Sequence, residues 1–202
     1  MLKKIVIGKE NSLHYRFSRK DEIELCFSDG INLLIGSNGS GKSTFFNVLR
    51  GFLFNEERDG VSINVDREKL KKPVYCVSSE ENNPKINMNE ISPFDQDSTY
   101  KLAYWMERKE LSNGQNTFAM LEDIKAIAKE ASLVVFDEPE KALDAVSLMD
   151  FKNNIKKLSE SIQVIIITHH PALILDSNFA SNIVEINPEE PYFENVKKLL
   201  NF

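Results

Sequence analysis

The sequence predicts an α/β fold around a mostly parallel central sheet, and two stretches carry that prediction. One is Gly36-Ser37-Asn38-Gly39-Ser40-Gly41-Lys42-Ser43-Thr44, set between the apolar run Ile31 to Ile35 and a helical run from Phe45 to Phe54. The other is Leu133-Val134-Val135-Phe136-Asp137-Glu138-Pro139-Glu140, a hydrophobic strand that ends in carboxylates. Near-continuous apolar strands followed by helix-periodic residues are what a parallel sheet covered on both faces requires.

The first stretch reads as a phosphate-binding loop. Glycines let the backbone turn tightly enough for successive N–H groups to face one anion, and the helix that follows presents its positive dipole end to the same spot. Lys42 is then expected to reach the β and γ phosphates of a nucleotide, and the Ser43 hydroxyl to take a place on Mg²⁺. Phe45, Val48, Leu49, Phe52 and Leu53 recur at helical spacing, which gives the loop the context that a bare glycine-rich turn lacks.

Composition bounds what such a loop belongs to. With 202 residues, 42% apolar and 28% charged, the chain has room for one core and a small subdomain. Met1 to Ile7 is too short for a signal peptide and no apolar run approaches bilayer-spanning length, so a cytoplasmic location without membrane insertion is expected. Cys26 and Cys76 lie in strand-like runs with no second Cys or His at ligand spacing, and both are expected to be buried thiols. A net charge of −6 does not favour a nucleic-acid surface, though it leaves room for a local patch. ATP binding is compatible with that charge. Charge-assisted hydrogen bonds contribute roughly 1.5–3 kcal/mol each, whereas distant surface carboxylates are screened beyond about 8 Å.

In chain order, Lys3 to Ile7, Ile23 to Phe27 and Ile31 to Ile35 are strand candidates, with Ser28-Asp29-Gly30 as a hairpin-type turn before the third. Between the first two, Leu13-His14-Tyr15-Arg16-Phe17 interleaves aromatic and basic residues. It is expected either to cover an adenine ring, with Arg16 near phosphate, or to be a partly buried surface strand. Val61 to Val65 and Pro73 to Val77 are further strands, and the mixed charge run Asp66 to Lys72 between them reads as a solvated face. Residues 97 to 110 look helical, with Trp105 towards the core. Ser112 is a plausible N-cap for a helix through Phe118, Leu121 and Ile124.

In a parallel sheet the carboxyl ends of the strands face the ligand crevice. Asp137 is therefore expected beside the phosphate loop, holding Mg²⁺, with Glu138 towards the γ-phosphate as general base for an attacking water. Leu148, Phe151, Ile155, Leu158 and Ile162 mark an amphipathic helix. Gln163 to Thr168 is a buried strand ending in His169-His170-Pro171, which places His169 in the same crevice. Ile183 to Ile186 is a last strand, and Tyr192, Phe193, Val196, Leu199 and Leu200 line a terminal helix.

Taken together these motifs resemble an ABC-type ATPase of the P-loop NTPase class: the loop at 36 to 44, a signature-like Leu111-Ser112-Asn113-Gly114-Gln115, the Asp137-Glu138 strand, a D-loop-like Ala142-Leu143-Asp144 and a switch-type His169. The resemblance implies a single domain over 1–202 with a mostly parallel central sheet and an N-terminal antiparallel β part. It also implies a small helical subdomain at 85–131 that carries the signature. A head-to-tail homodimer is implied as well, sandwiching two ATP and Mg²⁺. Each ATP would lie between one protomer's Gly36, Ser37, Asn38, Gly39, Ser40, Gly41, Lys42, Ser43 and Thr44 and the other's Ser112 and Gly114. Catalysis would fall to Lys42, Glu138 and His169.

Ser28 to Gly41, Asp137 to Glu140 and Thr168 to Pro171 are similar to the soluble branch that includes SMC and RecF-like ATPases. That likeness implies a partner-driven role in DNA maintenance or defence against foreign DNA. The alternative is the nucleotide-binding subunit of an ABC transporter, and a third reading is a nucleotide switch without useful turnover. Two departures stand out. Asn113 replaces the commoner Gly, and Ser79-Glu80 stand where the family usually carries a Mg²⁺-sensing Gln, with Gln96 too far along to substitute. The interval from phosphate loop to signature is too short for the coiled-coil arms of true SMC proteins.

Overall fold

A computed structural model of the chain describes residues 1–8, 23–53, 61–65, 74–78, 111–127, 132–187 and 191–201. Among the described residues the β structure falls into two sheets. In the smaller, β1 (Leu2–Ile7) pairs antiparallel with β2 (Ile23–Cys26) on one side and with β4 (Val61–Val65) on the other. The larger has five strands in the order β5-β6-β7-β3-β8. These are β3 (Ile31–Ile35), β5 (Val74–Ser78), β6 (Leu133–Asp137), β7 (Gln163–Thr168) and β8 (Asn182–Glu185), and every pairing among them is parallel. The helices are α1 (Lys42–Leu53), α2 (Asn113–Ile127), α3 (Ala145–Ser159), the short α4 (Pro171–Ile174) and α5 (Tyr192–Leu199).

Side chains alternate across the parallel sheet and build a core on each face. On one face Leu33, Val134, Phe136, Val164 and Ile166 pack under α3, whose Leu148, Phe151, Ile155 and Leu158 recur at helical spacing. Phe136 and Phe151 meet edge to face with centroids 5.7 Å apart, a favoured aromatic geometry. On the other face Leu34, Val135, Ile165 and Ile167 pack with Phe45, Phe46 and Leu49 of α1 and with Ile5, Ile7 and Leu25 of the small sheet. The sheet is therefore buried on both sides, and β3 and β7 are buried along their whole length.

Three expectations are corrected. Ser28-Asp29-Gly30 is not a hairpin turn, because β2 and β3 belong to different sheets and the segment crosses between them. Buried amides hold that crossing. Asn32 accepts from Ser28 N at 2.8 Å and donates to Ser28 O at 2.8 Å, while Gln163 donates to Leu2 O at 2.8 Å and to Ser28 O at 2.9 Å. Cys26 is exposed rather than buried, since β2 turns only alternate residues inward; Cys76 is buried as expected. The helix after the phosphate loop also starts earlier than Phe45, at Lys42.

Arg16 and its aromatic neighbours, the charge run 66–72, Ser79 and Glu80, Gln96, and the expected helix 97–110 with Trp105 lie outside the described residues. Of the subdomain expected at 85–131, α2 is the described part. Among the described residues, no helix is long and apolar enough to cross a membrane.

Candidate functional site

The strand order sets the site. β7 lies between β3 and β6, with Ile35 opposite Thr168 and Asp137 opposite Ile167, so three loops leave the sheet side by side at its carboxyl edge. They are the phosphate loop, Asp137-Glu138 and His169-His170.

In the phosphate loop, Gly39 has φ +81° and Gly41 φ +100°, left-handed values at which side chains are strained. Gly36 is a close approach. A Cβ there would stand 2.5 Å from Ser40 Oγ and 2.7 Å from Ile186 Cγ2. Lys42 is buried at 6% exposure, and its ammonium donates to Gly36 O and Ser37 O, both at 2.9 Å. Burial pulls its pKa below the usual lysine range, and the carboxylates of Glu138, Asp137 and Glu140 work against that pull. Of the site residues the sequence singles out, Asp137 and Glu138 are brought to the same edge of the sheet as Lys42. Ser43 is exposed at the first turn of α1 and Thr44 half-buried, while Ser37 and Ser40 are half-buried and Asn38 and Gly39 exposed along the loop.

On the carboxylate side, Glu138 adopts a left-handed backbone with φ 45° and ψ 52°. Strain of this kind, of order 1–3 kcal/mol, persists where the surroundings over-determine it, which is common at functional sites. Here Glu138 N donates to Ile167 O at 2.9 Å. The carboxylate is gripped at both oxygens: Oε1 lies 2.9 Å from His169 Nδ1 and Oε2 lies 2.5 Å from Lys141 Nζ. Burial pushes the Glu138 pKa up, but the hydrogen bonds from Lys141 and His169 outweigh it and hold the carboxyl below its ordinary range. The two histidines have different jobs. His169 faces Glu138, whereas His170 Nδ1 accepts from Ala172 N at 3.3 Å and caps α4, and burial lowers its pKa.

Sequence reading passed over three residues here. Glu140 is buried, its Oε1 accepts from Thr168 Oγ1, and its Oε2 makes no hydrogen bond among the described residues. Burial raises its pKa, opposed by the bond from Thr168. Thr168 Oγ1 also accepts from His170 N at 3.0 Å, so the pair ties the turn at Pro139–Ala142 to the end of β7. The third is Tyr192, whose hydroxyl donates to His169 O at 3.0 Å. A further carboxylate two positions after the Asp-Glu pair was the one available signal; the Thr168 and Tyr192 contacts depend on distant segments.

At the signature-like stretch, Ser112 is exposed and forms a capping box with Gln115. Ser112 N donates to Gln115 Oε1 at 2.8 Å, and Gln115 N donates to Ser112 Oγ at 3.2 Å. The serine hydroxyl acts as acceptor in that box and keeps its own proton for another group. Gly114 lies in the first turn of α2, half-buried. Asp144 of the D-loop-like stretch caps α3, accepting from Ser147 N at 2.8 Å.

The donor set suits a polyphosphate: one buried ammonium, a glycine-opened loop and a helix start. The Ser43 hydroxyl and Asp137 carboxylate are oxygen donors of the kind a hard divalent cation takes.

A family model described as "AAA domain" matches residues 11–170. Among curated proteins the chain is 29% identical to the phosphate import ATP-binding protein PstB of Borrelia garinii subsp. bavariensis, covering 82% of this chain and 78% of that protein. It is 26% identical to PstB 1 of Lactobacillus acidophilus, over 69% and 65% of the two chains. Among solved structures it resembles an ATP-binding cassette of an ABC transporter in its ADP conformation, with TM-score 0.60, 19% identity and coverage of 98% and 99%. A nucleotide-free cassette from an ABC transporter matches with TM-score 0.54, 20% identity and coverage of 98% and 96%. The fold is thus that of ATP-binding cassette domains.

Proposed function

The chain belongs to the AAA-domain family, and from that premise we propose that it is an ABC-type ATPase domain that binds and hydrolyses ATP, closing as a head-to-tail homodimer on two nucleotides. One observation carries the reading: Lys42, Asp137, Glu138 and His169 converge where β3, β6 and β7 end. Loop N–H groups from Gly36 to Thr44 and the Lys42 ammonium hold the phosphates. Ser43 and Asp137 would hold Mg²⁺, which when bound neutralises charge on the phosphate oxygens. Glu138 orients the attacking water and takes its proton, and His169 fixes the carboxylate that does so. Exposed Ser112, with Gly114 behind it at a helix start, is available to the γ-phosphate of a second protomer.

The named relatives favour a transporter partner over DNA maintenance, so the domain is best read as the nucleotide-binding subunit of a membrane transporter, working from the cytoplasmic side. ATP turnover measured over a range of protein concentrations tests the shared sites: a superlinear dependence supports them, and strict proportionality with a monomer at saturating ATP overturns them. The same assay decides the partner. Co-purification with a membrane-spanning protein that stimulates turnover supports the transporter reading, and stimulation by DNA returns the assignment to DNA maintenance.

A further inference from the structure

Lys141 plays no part in the sequence motifs, yet its ammonium sits 2.5 Å from Glu138 Oε2. The two residues are three apart across the turn Pro139–Ala142, which has 3₁₀ geometry. Glu138 is the left-handed residue that opens the turn and Lys141 lies within it, so the contact closes inside four residues of chain. The partners are unequally exposed: Lys141 is 43% exposed and Glu138 15%. The cation is therefore at the surface, and the group it grips points inward to the catalytic edge. His169 takes the opposite oxygen. A carboxylate held at one oxygen can still rotate about its last torsion, which is broad, whereas one held at both cannot.

We propose that Lys141 is a positioning residue for hydrolysis: with His169 it forms a two-point clamp that fixes the plane in which the Glu138 carboxylate meets the attacking water. The proposal rests on the reading of Glu138 as general base. The left-handed Glu138 opens the turn that carries Lys141, while Glu138 N stays bonded to Ile167 O of β7. Because Lys141 is a surface group, its removal is expected to leave the fold intact.

Lys141→Met, Lys141→Arg and Glu138→Gln are compared with the unmodified protein. Losing orientation while keeping the base is expected to lower kcat about tenfold, against the 10²–10⁴-fold typical of losing the base, with KM for ATP within about twofold. Lys141→Arg should recover most of the loss. Unchanged kcat in Lys141→Met, or a rise in KM without a fall in kcat, overturns the proposal, as does an Arg variant no better than Met. A second readout does not need turnover. At fixed neutral pH, the carboxyl carbon resonance of Glu138, identified by its disappearance in Glu138→Gln, should shift in Lys141→Met and return in Lys141→Arg. A resonance that stays put overturns the clamp even in a protein that hydrolyses nothing, whereas absent turnover with a shifted resonance counts against the ATPase reading alone.

Discussion

The loop after β3 and the loop after β6 leave the same edge of the sheet, but they are held in opposite ways. The first closes on itself: Lys42 bonds to Gly36 O and Ser37 O, Ser40 N donates to Ser37 O at 3.2 Å, and Phe45 N donates to Gly41 O at 2.8 Å. The second is held largely from a distance. Besides its neighbour Lys141, Glu138 depends on His169 and on the carbonyl of Ile167, and Glu140 depends on Thr168. A loop built from neighbours in sequence survives changes elsewhere in the fold. A loop held by a second strand is only as well placed as the packing of β6 on β7.

Four substitutions sharpen that contrast. The largest effect is expected from Glu138→Gln, which keeps the shape of the side chain but removes the base; kcat should fall by about 10²–10⁴ while ATP binding persists, leaving a dimer on size exclusion with ATP. Equal losses of binding and turnover would mean that the two loops are not separable. Lys42→Ala comes next. Removing a charge-assisted contact of roughly 1.5–3 kcal/mol should weaken nucleotide binding by about 10- to 100-fold, read by calorimetric titration.

Gly36→Ala should cost about 1–3 kcal/mol by overpacking, because the new Cβ meets Ser40 Oγ and Ile186. Denaturant midpoints would show it, and a neutral result would mean that the loop relaxes freely. The smallest effect concerns Glu140. Its folded pKa is raised above the ordinary 4.5 by burial, so its contribution to stability is complete below that pH and is lost as pH rises through the raised value. Glu140→Gln, whose amide oxygen still accepts from Thr168, should gain stability relative to the unmodified protein over that rise. Urea midpoints at a series of pH values would read it, and parallel profiles would show that Glu140 is not desolvated.

The contrast also accounts for what was legible beforehand. Ile31 to Ile35 and Gln163 to Thr168 announce buried strands because their apolar runs are unbroken, and both are buried throughout. Ser112 announces a cap because the capping box spans four residues, and the box is present. Ser28 to Gly30 misled, since the same turn-forming residues serve a hairpin or a crossing between sheets. What decides between them is the buried amide of Gln163, 135 residues away from Ser28. Cys26 misled because a four-residue run cannot say which of its alternating faces turns inward.

By itself, then, the sequence determined the parallel sheet, the glycine-opened loop between β3 and α1 and the presence of a carboxylate pair at a strand end, because each depends on residues a few positions apart whose backbone preferences and periodicity act locally. Only the tertiary structure decided that β7 lies between the two loops, that Glu140 bonds to Thr168, and that Tyr192 reaches the carbonyl of His169. Those outcomes follow from strand order and from the exact rise of each strand out of the sheet, quantities set by long-range packing that no local pattern records.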